Sequence, residues 1–422
     1  MSKTGANRFE PRRFEKPVAG LRPSCVAGAL LFCLLPSPLA IAQVHKPELR
    51  VHAALIQTQI PAEAARRFEG AKKAEARADW QTAEREYQEV LKLAPDWAEA
   101  LVNLGIVNNR LGKTNEAIAA FTRAGAINPR LFGAQLNLAI TYFRAKRFRE
   151  AEAPLRRALA IDPANNQAAG LLILNMFALD RYSEVIDLGE ALLRTAPSDA
   201  SSLELVGRAW LKLRRYDKAV PVLESRAKVG PATAEIYLLL GEARDNAGDN
   251  EGAISEFKRA ISASDSANVP ELRYALGYVL WKLRRYDEAE IEFRRELERD
   301  RNHARSIYYL GNIALSRGDW KGALPLLERA ARAMPQDFPA RYDFGKALIQ
   351  AGQVTGAVDE LIAAIALNSK NSGAHYQLAL AYRHLKRESE AQREFKLARE
   401  LNKAEREDLE HKVQGEERKK KP

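Results

Sequence analysis

Between Ala64 and Glu405 a single 34-residue theme recurs ten times. A glycine or another small residue holds one phase. An alanine follows about twelve residues later, with an apolar or aromatic residue four beyond it. In the first five repeats a proline closes the theme, at Pro95, Pro129, Pro163, Pro197 and Pro231. A 34-residue repeat is too short to bury a core of its own, so it must stack on its neighbours. The length of 422 residues would otherwise suit two or three ordinary domains. An unbroken array overrides that count, because a solenoid grows by adding repeats.

The second repeat, Ala98 to Leu131, serves as the reference. Its first helix carries Leu101, Leu104, Gly105 and Val107 among its packing residues, and Gly112 follows as a left-handed cap. The second helix begins near Thr114 and places Ala117, Ile118, Phe121 and Ala124 on one face. Pro129 stops it, since a helix interior loses a hydrogen bond at proline. Counting Ala98 as position 1, position 8 reads Ala71, Gly105, Ala139, Gly207, Gly241, Gly277, Gly311, Gly345 and Ala379 in nine repeats. Position 20 reads Ala83, Ala117, Ala151, Ala219, Ala253, Ala289, Ala323, Ala357 and Ala391. Small residues at these phases let helices approach closely. On these residues the array resembles the tetratricopeptide repeats. The resemblance covers about 340 of the 422 residues and implies an all-α fold, a right-handed α–α superhelix. It also implies a non-catalytic scaffold whose first helices line a groove that grips peptides or partner helices.

Three departures stand out. The repeat from Asn166 to Asp199 puts Ile173 at position 8, Val185 at 20 and Gly189 at 24, an irregular joint. Near Ser262 to Pro270 two extra residues enter, Asp265 stands where proline is expected, and an offset of the stack is anticipated. Beyond Lys403 a polar capping helix is expected over 404–413, and 415–422, with Lys419, Lys420 and Lys421, reads as a disordered basic tail.

Residues 1–42 read as an export signal. Six cations (Lys3, Arg8, Arg12, Arg13, Lys16, Arg22) meet only Glu10 and Glu15 before an apolar run from Cys25 to Leu35. Pro36 and Pro38 break a helix, and Ala40-Ile41-Ala42 offers small residues before a cut at Gln43. The run is about half of the ~20 residues a membrane span needs. The expected location is therefore periplasmic or secreted, with residues 43–63 a linker to the array. Both cysteines, Cys25 and Cys33, lie in this segment. The chain from Gln43 has none, which removes disulfides, thiol catalysis and thiolate metal sites together. The formal charge of +11 is shared between the two parts and gives only a mild basic excess. No HExxH occurs among the six histidines, and His375 and His384 fall on opposite sides of one helix, so neither a metal nor another cofactor is expected. No phosphate-binding glycine loop or GxSxG elbow appears.

Positions 2, 5, 9 and 12 of the first helix share one face. In the last four repeats position 5 is Tyr274, Tyr308, Tyr342 and Tyr376, each 34 residues from the last. Tyr278, Trp281, Arg305, Asn312 and Lys346 lie on the same face. Tyrosine and tryptophan offer large contact area at low entropic cost, so these nine residues are the candidate site for a protein or peptide partner. Val102, Leu136, Gly170 and Glu204 hold the same phase earlier, so the ladder is regional. Asn103 and Asn137 lack the nearby cations that a carboxylate grip needs. Basic clusters at the inter-helix turns (Arg144, Lys146, Arg147; Lys212, Arg214, Arg215; Lys282, Arg284, Arg285; Arg383, Lys386, Arg387) suit a helix C-terminus. They also leave open a second reading, an envelope or polysaccharide-associated factor whose basic edge meets an anionic polymer.

Overall fold

The computed structural model describes residues 60–419. Twenty α-helices and one short 3-10 turn account for the regular structure, with no strand among the described residues. The helices form ten hairpins, each with a first (A) and second (B) helix. Hairpins 1 to 3 are α1 (Ala62–Ala76) with α2 (Trp80–Leu93), α3 (Ala98–Arg110) with α4 (Thr114–Ile127), and α5 (Phe132–Arg144) with α6 (Phe148–Ile161). Hairpins 4 and 5 are α7 (Asn166–Ala178) with α8 (Tyr182–Thr195), and α9 (Ala200–Lys212) with α10 (Tyr216–Lys228). Hairpins 6 and 7 are α11 (Ala234–Ala247) with α12 (Asn250–Ser262), and α13 (Leu272–Lys282) with α14 (Tyr286–Arg299). Hairpins 8 to 10 are α15 (Ala304–Ser316) with α16 (Trp320–Ala333), α17 (Phe338–Gln350) with α18 (Val354–Leu367), and α19 (Ser372–His384) with α20 (Glu388–Lys419). The chain divides into two compact units between Ala232 and Thr233, so each holds five hairpins. Within a unit, every A helix packs on its own B helix, and every B helix on the next A helix. The export signal and most of the linker, residues 1–59, lie outside the described residues.

Hairpin closure follows from one contact between positions 8 and 24. A Cβ added at Gly105, Gly207, Gly277 or Gly345 would lie 2.5–2.8 Å from the side chain of Phe121, Leu223, Phe293 or Leu361, sixteen residues on. All four large partners are fully buried. The glycine is needed for closeness in these four hairpins; in others alanine holds position 8, as Ala71 in one buried cluster with Tyr87 and Ala139 in another with Leu155.

A second tie crosses the hairpin at positions 4 and 23. Arg67 meets Glu86 at 3.2 Å, Arg273 meets Glu292 at 2.9 Å, and Arg341 meets Glu360 at 2.7 Å. In hairpin 10 the partner is an imidazole: His375 Nδ1 lies 2.6 Å from Glu394, and Nε2 lies 3.0 Å from the Ser369 carbonyl.

The turn between A and B helices is left-handed in every hairpin. Gly112, Gly248, Gly318 and Gly352 have φ between 73° and 93°, as the capping reading of Gly112 requires. Ala78, Lys146, Asp180, Arg214, Arg284 and Lys386 occupy the same phase with φ near 58°, accepting the strain of a Cβ there. Four of these six, Lys146, Arg214, Arg284 and Lys386, belong to the basic clusters, and the next residue in each is an arginine with an acidic partner. Arg147 pairs with Glu150, Arg215 with Asp217, Arg285 with Glu288, and Arg387 with Glu390. Three of these guanidinium groups also cover a ring of the A helix, Tyr142, Trp210 or Tyr382. The basic clusters are thus woven into the turns.

The departures resolve locally. In hairpin 4 bulk is exchanged between helices: Ile173 is fully buried on α7, while Gly189 on α8 admits the side chain of Val206 from hairpin 5. Every residue from Gly170 to Met176 is buried, so α7 keeps little open face. The insertion after Ser262 folds as a 3-10 turn over Ser266–Asn268. There Asp265 accepts a hydrogen bond from the Ala234 amide at 2.9 Å, and Arg299 donates to the carbonyls of Val269 and Ala267. Across this insertion α12 packs on α13. The chain end differs too: α20 runs to Lys419 without a break at Gly415, because strong helix formers continue past Glu405 with no proline to stop them.

Replacing Gly277 by Ala should cost about 1–3 kcal/mol of unfolding free energy through overpacking against Phe293. Adding Phe293→Leu, which recreates the Ala139–Leu155 pairing, should recover part of that loss in urea titrations. Equal stability of Gly277→Ala and the parent would refute the close-contact argument.

Candidate partner-binding surface

Hairpins 7–10 lie within the second compact unit, and their A helices are α13, α15, α17 and α19. The period puts the candidate aromatic residues at matching heights on these helices, but their surroundings differ. Tyr274 is only 4% exposed. Its ring lies 5.0 Å from His303 and 6.1 Å from Phe293, and its amide donates to the buried Glu296 carboxylate at 3.3 Å. Tyr274 is therefore part of the core and offers no contact surface, a correction to its place in the candidate site. Tyr308 and Tyr342 are half-buried, and Tyr376 is 49% exposed beside Phe395. The ladder runs from a buried Tyr274 to an open Tyr376.

Two clusters gather the remaining candidates. The first is aromatic and centres on Tyr309, a residue at position 6 that the face count passed over. Tyr278 lies 5.5 Å from Tyr309, Trp281 4.8 Å, Phe293 5.3 Å and Tyr308 4.9 Å. Tyr278 and Trp281 run nearly parallel, 6.1 Å apart. Arg305 stands over the Tyr274 ring at 6.0 Å and forms no ion pair among the described residues. Offset and edge contacts of this kind favour the ring quadrupole and hold the side chains in place.

The second cluster is polar and centres on Asp343, 5% exposed at position 6 of α17. Tyr308 donates its hydroxyl to Asp343 Oδ2 at 3.0 Å, and Asn312 Nδ2 donates to the same oxygen at 2.8 Å. Lys346 Nζ donates to Oδ1 at 3.1 Å and lies over the Tyr342 ring. Trp281 Nε1 donates to Asn312 Oδ1 at 2.9 Å. Four candidate residues from three hairpins are thereby tied to one carboxylate the sequence reading did not single out. Its sequence signal was present only as an acid where neighbouring repeats hold Ala275, Tyr309 and Gln377.

Burial, followed by the nearby Asp343 charge, pushes the Tyr308 hydroxyl well above the ordinary phenol range. The same causes push Tyr342 up to about 12. Burial likewise raises Tyr274, Tyr278 and Tyr309. These tyrosines are neutral donors at any physiological pH. Asn103 and Asn137 are engaged elsewhere, donating to the Tyr87 hydroxyl at 3.1 Å and the Gly133 carbonyl at 2.8 Å. Among the described residues no group of three or more His, Cys, Asp and Glu could hold a metal. No described helix is long and apolar enough to cross a membrane.

Comparison with known proteins gives one consistent result. A tetratricopeptide repeat model matches residues 68–130, 207–268, 274–338 and 342–404, together more than half of the chain. Another tetratricopeptide repeat model matches 109–174 and 314–366. Anaphase-promoting complex subunit 3 of Schizosaccharomyces pombe is 27% identical over 168 residues, which are 39% of this chain and 25% of that relative. The chain thus matches a quarter of the length of that relative. Among solved structures, MamA 41-end from Desulfovibrio magneticus RS-1 is 26% identical with a TM-score of 0.37, over 40% of this chain and 96% of that one. The APC/C hetero-tetramer Cut9-Hcn1 is 16% identical with a TM-score of 0.43, over 81% and 74%.

Two outcomes follow from the clusters. Asp343→Ala leaves three donors without their acceptor and should cost about 1–3 kcal/mol in chemical unfolding, a cost that Asp343→Asn should partly restore. Tyr342, with an ordinary value of 10.0 raised to about 12, keeps its proton in the folded chain when the unfolded chain has lost it. Its contribution is complete below pH 10 and fades as pH climbs through 12. Tyr342→Phe should therefore flatten the loss of stability over that window, and an unchanged slope would remove Tyr342 as its source.

Proposed function

This chain belongs to the tetratricopeptide repeat family, and from that premise we propose that it is a non-catalytic scaffold that holds a protein partner on the A-helix face of hairpins 7–10. The observation that carries this reading is the half-open aromatic surface of Tyr278, Trp281, Tyr308, Tyr342 and Tyr376, locked from beneath by Tyr309 and Asp343. Its rings and donors are held by contacts within the protein, so little side-chain entropy remains to be lost on binding. Aromatic anchors set among satisfied polar groups are what binding hot spots use. The relative from Schizosaccharomyces pombe is by its name a complex subunit, which agrees with a role in assembly. We place this activity in an exported chain, on the strength of the basic-then-apolar segment before Gln43. One arginine of each turn cluster pairs with an acid of its own hairpin, and no observation favours the anionic-polymer reading.

The test uses the immobilised chain from Gln43 onward and its Tyr278→Ala/Tyr376→Ala variant. Both should show the same helical circular dichroism, while the variant retains at least ~10-fold less of the proteins captured by the parent, a loss of about 1.4 kcal/mol. Identical capture profiles would remove this face as the docking surface.

A further inference from the structure

The aromatic face of hairpins 7–10 offers hydrogen-bond donors and has its central acceptors filled. Both oxygens of Asp343 hold donors, and Asn312 Oδ1 holds Trp281 Nε1. The hydroxyls of Tyr278, Tyr342 and Tyr376, by contrast, make no hydrogen bond among the described residues. A segment laid here meets open donors, and an N–H that it brings to the middle of the face finds no vacant acceptor. The stack also imposes a repeat. The A helices of successive hairpins 7 to 10 pack on one another, and helices in contact lie about 8–10 Å apart. Rings are therefore met once per hairpin at about that interval.

Resting on the scaffold reading above, we propose that the occupant is a proline-rich segment of a partner protein, laid in the polyproline II conformation with one turn per hairpin from Tyr278 to Tyr376. This helix advances about 9.3 Å in its three-residue turn, so it shows the same edge to each successive hairpin. A β-strand covers a similar distance, about 10 Å in three residues, but its third side chain then points away from the face. Polyproline II forms no internal hydrogen bonds, which leaves its carbonyls to accept from the three open hydroxyls. Proline brings no N–H, so none is stranded over the filled Asp343 and Asn312. Tyr278 and Trp281, 6.1 Å apart and 18° from parallel, give two adjoining platforms for pyrrolidine rings at the hairpin 7 end. The segment is already ordered before it binds, which lowers the entropic cost of capture. An amphipathic partner helix suits the face less, because Asn312 and Lys346 interrupt the apolar trough that such a helix fills.

Three fluorescent peptides of about twelve residues, acetylated and amidated, test this by anisotropy against the chain from Gln43. One is all proline, one is a Gly-Ser repeat, and one is an alanine-rich amphipathic helix. The proline peptide should bind at least ~10-fold tighter than either of the others, and nearly as well at high salt as at low, since no ion pair is involved. Tyr278→Phe/Tyr342→Phe/Tyr376→Phe keeps the rings and removes the open donors. It should leave the helical circular dichroism unchanged and weaken the proline peptide about tenfold. Equal affinity for the three peptides, tightest binding of the helical one, or indifference to loss of the three hydroxyls would each overturn the proposal. If Tyr278→Ala/Tyr376→Ala abolishes protein capture while the proline peptide neither binds the parent nor competes with the captured proteins, the scaffold reading stands and the polyproline assignment falls.

Discussion

The meeting of position 8 with position 24 sets the distance between the helices of each hairpin, and the remaining geometry follows from that distance. Gly277 beneath Phe293 and Gly345 beneath Leu361 leave no room for a methyl group. The large residue, fully buried, then fixes how far the B helix stands off and where the next A helix can pack. Closeness of this kind repays itself through dispersion and excluded water summed over many contacts. Hairpin 4 shows that the sum matters more than the side it comes from. Ile173 and Gly189 exchange large for small, and the vacated space admits Val206 from the following hairpin.

That tight packing also decides where a face is left for something else. In hairpins 3–5 the A helices carry Leu136, Gly170 and Glu204 at position 5, and all three are buried. Glu204 is matched by Arg208 at 2.9 Å and Arg226 at 3.5 Å, a charge cluster turned inward. In hairpins 7–10 the same position carries tyrosine. Tyr274 is buried there, Tyr308 and Tyr342 are half-buried, and Tyr376 is open. The candidate surface is thus the region where side chains outgrow the space between helices.

Much of this was legible from the residues alone. The period located the helices, Gly112 marked a left-handed turn, and the small residues at positions 8 and 20 named the close contacts. Such features are local or lie within one hairpin, where spacing in sequence fixes spacing in space. The site was harder. Tyr274 and Tyr376 share a phase, yet one is core and the other open, because burial depends on what His303, Phe293 and Phe395 do in adjoining helices. Tyr309 and Asp343 sit one position beyond a counted residue, and their roles arise from residues of other helices: Tyr278, Trp281 and Phe293 around Tyr309, and Tyr308 and Asn312 on Asp343. The basic clusters were visible as charge, but their pairing with Glu150, Asp217, Glu288 and Glu390 required the turn geometry.

Asp343 ties the packing of the stack to the candidate surface. Elsewhere positions 8, 20 and 24 build the stack, while position 5 is buried in hairpins 3–5 and 7 and opens in hairpins 8–10. Asp343 is buried, yet its oxygens hold Tyr308, Asn312 and Lys346, and through Asn312 it orients Trp281. A buried carboxylate is costly unless its hydrogen bonds are satisfied, and here the donors come from hairpins 8 and 9, with Trp281 of hairpin 7 joined through Asn312. Hairpins 7, 8 and 9 are therefore held in one register by the groups that present the aromatic surface. A partner that lay across those rings would meet a surface already ordered, and any substitution that frees Asp343 would loosen the face before it unfolded the array.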